Sequence, residues 1–211
     1  MEHSKIEYLL PEEIEKRSFE IITEELLKRN ISLPKEEELI TKRVIHTSAD
    51  FDYAETLCYS KGAVEILKEL IKNGADIVTD TNMALAGINK KALAKFGGEA
   101  HCFMADEEIA LLAKQRNVTR AAVSMEKAAK IEKPVVFAIG NAPTALINLC
   151  EMIEKLDWKP AFIIGVPVGF VNVEAAKELI LKTNIPYIIN RGRKGGSNIA
   201  AAICNAVLYQ V

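Results

Sequence analysis

After residue 60, short apolar runs alternate with longer amphipathic segments, and this alternation constrains the fold more than any other feature of the sequence. Strands are predicted at ADIVTD (75–80), EAHCFM (99–104), PVVFAI (134–139), AFIIGV (161–166) and PYIIN (186–190). Helices are predicted at 61–73, 89–96, 106–130 with a break near Asn117, 142–156, 172–182 and 198–209. The central runs lack polar alternation, which is typical of a parallel sheet covered on both faces. The predicted fold is therefore α/β, a three-layer α/β/α sandwich with a five-stranded, mainly parallel, flavodoxin-like sheet.

The first sixty residues have a different pattern, which predicts helices rather than strands. One helix is predicted after Pro11, because proline suits the start of a helix and acidic residues follow it. Its residues Ile14, Ile22 and Leu26 share one face. A second helix is predicted from Pro34 to His46. We expect one domain over 1–211, made of N-terminal helices in 1–60 and an α/β core in 61–211.

Composition excludes several classes of partner. The 27 lysine and arginine residues nearly balance the 29 aspartate and glutamate residues, so no strong field favours nucleic acid or a membrane surface. No apolar run is long enough to span a bilayer, and the charged N-terminus does not resemble a signal peptide. The four cysteines are scattered without a CxxC pair, as in a protein of a reducing compartment. We therefore expect a cytoplasmic protein.

Ligands of open parallel sheets bind beyond the carboxyl ends of the strands, so the loops at those ends are the candidate site. These loops contain TDTNMALAG, MADEE, GNAPTA, GVPVGF and NRGRKGGS. Three of them are rich in glycine, proline and asparagine, which allow the backbone to approach a ligand closely. None has a nucleotide-binding fingerprint, so the sequence gives no reason to expect a nucleotide.

Two of these loops have the character of anion sites. In GNAPTAL (140–146), Asn141 is placed to cap a helix whose free amide groups would attract a negative charge. The alternative is an ordinary strand-to-helix turn. In GRKGGS (192–197), Arg193 and Lys194 lie among glycines before another helix, and with Arg191 they suit a carboxylate or phosphate. The alternative there is a solvated basic loop.

His46 is the histidine that best fits a role in chemistry. It precedes the polar segment TSADFD, where an imidazole can exchange protons near neutral pH. His101 lies in a predicted strand, where a hydrogen-bonded structural histidine is expected. His46, Asp50 and Asp52 also match a weak pattern for a divalent metal, without support from another ligand cluster.

The order of the motifs resembles that of the precorrin-8X methylmutase family over about residues 8–207. The resemblance is carried by RSFEII, RVIHTSADFDY, DTNMALAGI, TRAA, IGNAPTAL, IGVPVGFVN and GRKGGSNIAAAICNA. The combination of IGNAPTAL, GVPVGF and RKGGS is more specific than any single glycine motif.

This resemblance implies an isomerase of cobalamin biosynthesis. Such an enzyme moves a methyl group from C-11 to C-12 of precorrin-8X or cobalt-precorrin-8, giving hydrogenobyrinate or cobyrinate, and needs no cofactor and no protein-bound metal. The resemblance also implies a homodimer that holds the tetrapyrrole near the subunit interface. It identifies His46 as the proton donor to ring C and implies that Ser18, Thr81 and Arg120 surround the substrate.

The acidic side chains of a tetrapyrrole require basic partners. Arg17, Asn141, Arg193 and Lys194 complete the predicted binding set, with the helix that starts after Gly140 as a further anion site. Two alternatives remain at this point: a tetrapyrrole carrier without activity, and a metal-dependent hydrolase that uses His46, Asp50 and Asp52.

Overall fold

The computed structural model describes residues 8–156 and 158–211, so the first seven residues of the predicted N-terminal part lie outside it. Its sheet has six strands. They are β1 (Leu57–Tyr59), β2 (Asp76–Thr79), β3 (Ala100–His101), β4 (Val135–Ile139), β5 (Phe162–Gly165) and β6 (Tyr187–Asn190). The first four helices are α1 (Pro11–Lys28), α2 (Glu38–Ser48), α3 (Tyr53–Thr56) and α4 (Ala63–Lys72). The others are α5 (Asn82–Gly87), α6 (Lys90–Ala94), α7 (Glu107–Arg116), α8 (Arg120–Ala128), α9 (Pro143–Leu156), α10 (Val173–Leu181) and α11 (Ser197–Leu208).

The strands lie in the order β1-β6-β5-β4-β2-β3, and all but β1 run parallel. Numbered along the chain, the five parallel strands have the order 2-1-3-4-5, which is the flavodoxin-like order. The predicted α/β sandwich is thus confirmed. Connections leave β2 and β4 in opposite directions, so a crevice is expected between the carboxyl ends of these two strands.

Strand β1 was not predicted and lies within the part expected to be helical. It pairs antiparallel with β6, Leu57 opposite Asn190 and Tyr59 opposite Ile188. The three residues of β1 are only half-buried at the sheet edge. A strand so short and so weakly buried gives no apolar run, and for that reason the sequence pattern did not reveal it.

The core forms two layers, one on each face of the sheet. Alternate residues of β4 enter different layers: Val136 and Ala138 belong to the core cluster that includes residues of α2, α4 and α11, whereas Phe137 and Ile139 belong to the cluster that includes residues of α8, α9 and α10. Every residue of β2, β4 and β5 is buried. Complete burial explains why these strands lack polar alternation. No helix among residues 8–156 and 158–211 has the length and apolarity to cross a membrane.

Several helix boundaries differ from the predicted ones. Helix α2 begins at Glu38 rather than at Pro34, because residues 35–37 form a turn, and it continues past His46 to Ser48. On α1, Ile22 and Leu26 are buried as predicted, whereas Ile14, in the first turn of the helix, is 53% exposed. The predicted break at Asn117 is confirmed, since this residue ends α7 in the left-handed conformation.

Candidate active site

The carboxylate of Asp80 lies at the carboxyl ends of β2 and β4, where the crevice is expected. This carboxylate accepts hydrogen bonds from the backbone amides of Gly140 (2.8 Å), Asn141 (2.8 Å) and Ala142 (2.5 Å). Asp80 is completely buried. The chain thus supplies its own anion to three amides of the segment that precedes α9, where a substrate anion was predicted.

Burial raises the pKa of the Asp80 carboxyl, whereas the hydrogen bonds from the three amides act in the opposite direction. A carboxylate with several amide donors at the start of a helix is also favoured by the helix dipole. Asp80 therefore links the ends of β2 and β4 and has a structural role.

Thr81 and Ser197 join the two loops next to this crevice. Their hydroxyl oxygens are 2.7 Å apart, and Thr81 also accepts a hydrogen bond from the amide of Ala84 at the start of α5. A Cβ on Gly140 would lie 2.7 Å from the Cα of Ser197, so only glycine fits there. The predicted substrate residue Thr81 thus caps a helix, and its hydroxyl is half-buried at the carboxyl edge.

The loop between β6 and α11 meets the segment that follows α2. The ammonium of Lys194 donates hydrogen bonds to Asp50 (2.6 Å) and Asp52 (2.5 Å). This contact holds the pKa of the Asp50 carboxyl below its ordinary value and raises the pKa of Lys194. Asp50 and Asp52, the two carboxylates of the weak metal pattern with His46, are therefore both paired with a lysine. Among the described residues, no group of three or more His, Cys, Asp or Glu side chains is arranged to hold a metal ion.

A shallow cleft of about 370 Å³ opens beside this contact. We call it the Lys194 cleft, and it is lined by Thr47, Ser48, Asp50, Tyr53, Val168, Lys194, Gly195, Asn198 and Ile199. Gly195 is required at its wall, since a Cβ there would come within 2.1 Å of the carbonyl oxygen of Val166. The neighbouring amide of Gly196 donates to that same oxygen at 2.9 Å. The loops after β5 and β6 therefore form one wall.

Two buried polar side chains support this wall from behind. Lys177 of α10 is fully buried, and its ammonium donates to the carbonyl oxygens of Gly192 and Lys194, each at 2.8 Å. Burial lowers the pKa of Lys177 to about 8. The buried amide of Asn190 donates to the carbonyls of Arg191 (3.0 Å) and Lys194 (2.8 Å).

His46 lies in the last turn of α2 with its imidazole exposed. Its ring is 5.6 Å from the ring of Phe19 on α1. Arg43 lies over the same phenyl ring at 4.9 Å and donates to Glu15 at 2.7 Å. The hydrogen bond from Arg43 and the nearby charges of Arg43 and His46 lower the pKa of Glu15. His46 is therefore an accessible imidazole next to both a carboxylate and an aromatic face.

A second cleft, of about 520 Å³, lies on the α1 side of these residues. We call it the Phe19 cleft, and it is lined by Pro11, Glu15, Lys16, Phe19, Leu39 and Arg43. Phe19, which contacts His46, lines this cleft, while Thr47, the neighbour of His46 in the chain, lines the Lys194 cleft. His46 is thus next to residues of both clefts.

The remaining predicted residues are spread around the surface. Ser18 is half-buried and donates to the carbonyl of Ile14 within α1 (2.9 Å), and Arg17 lies 3.6 Å from Glu20. Arg193 is exposed, 3.2 Å from Glu174 and over the ring of Phe170 at 5.6 Å.

Arg120 and Asn141 are both exposed. Arg120 begins α8, next to Thr119, whose hydroxyl donates to Thr144 of α9 at 3.0 Å. Within residues 8–156 and 158–211, the guanidinium of Arg120 has no hydrogen bond or ion pair. No such contact joins Arg120 to His46 within the described chain.

The sequence analysis did not identify Asp80 or Lys177, although the position of each in its predicted element is unusual for a charged residue. Asp80 is the acidic residue directly after the fully buried strand β2, at the edge where ligands and capping groups meet. On α10 the buried positions are Val173, Ala176, Lys177 and Ile180. Lys177 thus occupies an apolar position of an amphipathic helix, and a lysine in that position needs a polar partner.

Comparison with known proteins gives a consistent result. The family model described as "Precorrin-8X methylmutase" matches residues 13–210. The chain is 42% identical to the cobalt-precorrin-8 methylmutase of Priestia megaterium, covering 93% of this chain and 87% of that protein. It is also 42% identical to the cobalt-precorrin-8 methylmutase of Salmonella typhimurium, with coverages of 95% and 96%. A crystal structure of precorrin-8X methyl mutase from Thermus thermophilus superimposes with a TM-score of 0.82, at 34% identity and coverages of 93% and 96%.

Proposed function

This chain belongs to the precorrin-8X methylmutase family, and we propose that it performs the isomerisation of that family with His46 as the proton donor. The enzyme is an isomerase of cobalamin biosynthesis that acts on precorrin-8X or cobalt-precorrin-8. The observation that carries the catalytic proposal is the position of His46, which is exposed in the IHTSADFD segment next to residues that line two clefts.

The reaction needs a proton donor but no separate donor of the methyl group. The bond between C-11 and the methyl carbon breaks while the bond from that carbon to C-12 forms, so substrate and product are isomers and no methyl donor is consumed. A protonated His46 donates to the nitrogen of ring C, and the positive charge drawn into that ring eases the migration. The proton returns to the imidazole when the product, with its longer conjugation, is complete.

Two residues of α1 lie next to His46. One is Glu15, whose pKa is lowered by Arg43 and by His46. Phe19 fixes one side of the imidazole by ring contact. The other side is left open to a ligand.

We assign the other predicted residues to binding. Ser18 and Thr81 orient the macrocycle, and Arg17, Arg120, Asn141 and Arg193 bind its acidic side chains. Lys194 belongs to the same set, although a substrate carboxylate that reaches it must share the ammonium with Asp50 and Asp52. The 83% exposed ring of Phe170 offers the macrocycle a flat apolar contact.

We also propose a cytoplasmic homodimer with the tetrapyrrole near the subunit interface. Its cysteines are free, two buried and two half-buried, as suits a reducing compartment. The homodimer is carried over from the resemblance of the chain to its family. We further propose cobalt-precorrin-8 as the natural substrate, because the Priestia and Salmonella proteins, at 42% identity, carry that name.

Absorption spectra recorded over time with catalytic amounts of protein test the function. We expect conversion to the product chromophore over many turnovers, faster with cobalt-precorrin-8 than with precorrin-8X. A spectral change that stops at one equivalent of protein would instead identify a tetrapyrrole carrier. If neither compound binds, the assignment is wrong.

A further inference from the structure

The loop that carries Lys194 is held from inside the protein by a lysine. Lys177 is fully buried, and both of its hydrogen-bond acceptors, the carbonyls of Gly192 and Lys194, are uncharged. Burying an ammonium without a carboxylate partner is costly, which explains the lowered pKa of this group. A position that only had to fill the core would be better served by an apolar residue of the same length.

The arrangement fixes the direction of the loop. The carbonyl groups of Arg191, Gly192 and Lys194 all point inward, towards the ammonium of Lys177 or the amide of Asn190. With its carbonyl held in this way, Lys194 directs its own side chain outward to Asp50 and Asp52.

Hydrogen bonds continue from there to the helix of His46. The backbone amide of Asp50 donates to the hydroxyl of Ser48 at 3.2 Å. That hydroxyl donates to the carbonyl of Val44 at 2.8 Å, in the last two turns of α2, where His46 also lies. The series therefore begins at a buried lysine on α10 and ends in the turn that presents the imidazole.

We propose that Lys177 is a positioning residue of the active site, which holds the 191–196 loop so that Lys194 fixes Asp50, Asp52 and the end of α2. Lys177 lies beneath the wall of the Lys194 cleft and does not contact the substrate. This assignment rests on the proposed function, because it takes His46 as the group to be positioned.

A double-mutant cycle on the full-length protein tests the proposal. Lys177→Met keeps the length of the side chain and removes its donors, and Lys194→Met removes the outer contact. We expect Lys177→Met to lower kcat/KM by about tenfold or more, because a small displacement in a site has effects of this size. Adding Lys177→Met to Lys194→Met should lower kcat/KM by less than about twofold further, since both residues act through one contact. Lys182→Met, the same change on an exposed lysine at the end of α10, should behave as the wild type.

Hydrogen exchange of the Gly196 amide, which donates to Val166, gives a readout that does not need turnover. In Lys177→Met it should exchange about a hundredfold faster, with the buried β4 amides unchanged. The proposal would be overturned if Lys177→Met kept the kcat/KM of the wild type. It would also be overturned if the losses of kcat/KM in the two single variants multiplied in the double variant, or if exchange of the Gly196 amide were unchanged. If Lys177→Met does not fold, Lys177→Gln, which keeps a shorter donor, is measured against the same criteria. Failure of the wild type to convert either tetrapyrrole overturns the proposed function instead, and the exchange result then decides the positioning of the loop alone.

Discussion

Lys194 and Asp50 are 144 positions apart in the sequence, yet their side chains meet at 2.6 Å. This contact joins two polar segments of the predicted site, IHTSADFD and GRKGGS, at one wall of a cleft. It also means that the basic loop is partly neutralised by the protein itself. Binding of an acidic ligand therefore depends more on Arg120, whose guanidinium has no such partner among the described residues.

His46→Ala should lower kcat by about a hundredfold or more, because a positioned general acid contributes factors of 10² to 10⁴. Binding of the tetrapyrrole should change little, since the residues assigned to its acidic side chains remain. The measurement is turnover by absorption together with a separate titration of binding. His101→Gln is the matched control: His101 pairs with Asp76 at 3.2 Å, so this change should affect stability but not kcat. Near-normal turnover of His46→Ala would remove His46 from the mechanism.

Arg120→Ala should raise KM by roughly tenfold, the effect expected when one charge-assisted hydrogen bond to a carboxylate is lost. The side chain is exposed, so stability should remain within about 0.5 kcal/mol of the wild type. Arg116→Ala provides the comparison, since Arg116 lies in the preceding helix and is paired with Glu126 at 2.8 Å. Equal changes of KM in both variants would indicate a general effect of charge and not a binding role for Arg120.

Asp80→Ala should lower the free energy of unfolding by about 3 kcal/mol or more, because three buried amides lose their acceptor. Asp80→Asn keeps one acceptor oxygen and should fall between that variant and the wild type. Urea denaturation followed by circular dichroism measures both. Asn141→Ala removes only an exposed side chain and should stay within about 0.5 kcal/mol. A similar small loss in Asp80→Ala would show that water replaces the carboxylate at these amides.

Lys177 should make the stability of the protein depend on alkaline pH. Its pKa is about 8 in the folded protein against an ordinary value of 10.5, so between these values the unfolded chain binds the extra proton. The free energy of unfolding should therefore rise with pH across this window, with a slope of at most about 1.4 kcal/mol per pH unit. The nearby carboxylate of Glu174 raises the pKa of Lys177 and reduces the effect.

The measurement is the difference in unfolding free energy between the wild type and Lys177→Met, from pH 7.5 to 9.5. Groups common to both proteins cancel in this difference, which should shift in favour of the wild type as pH rises. The corresponding difference for Lys182→Met should stay flat. A flat line for Lys177→Met would mean that the ammonium keeps its ordinary pKa despite burial.

The sequence predicted β4 and β5 because each is a fully buried apolar run, as in VVFAI of β4, whereas the run predicted over 99–104 holds only the two half-buried strand residues Ala100 and His101. It did not predict β1, whose three half-buried residues carry no pattern. The same contrast holds for the site. Asp50 and Lys194 were recognised by residue type, but their pairing depends on a loop direction set by Lys177 and Asn190, which no local spacing encodes. The amides near Gly140 were recognised as an anion site, but the burial of Asp80 against them depends on the pairing of β2 with β4, which local sequence does not reveal.

The pairing of Leu57 with Asn190 also has a consequence for the order of folding. During synthesis from the N-terminus, β1 has no partner until β6, the last strand described in the chain, has emerged. Non-local pairings of this kind slow folding, since a long loop must close before any contact is gained. The edge strand that borders the segment after His46 can thus pair only after every other strand of the sheet has been synthesised. A nascent chain that ends before β6 would lack this edge and expose the side of β5 on which β6 pairs.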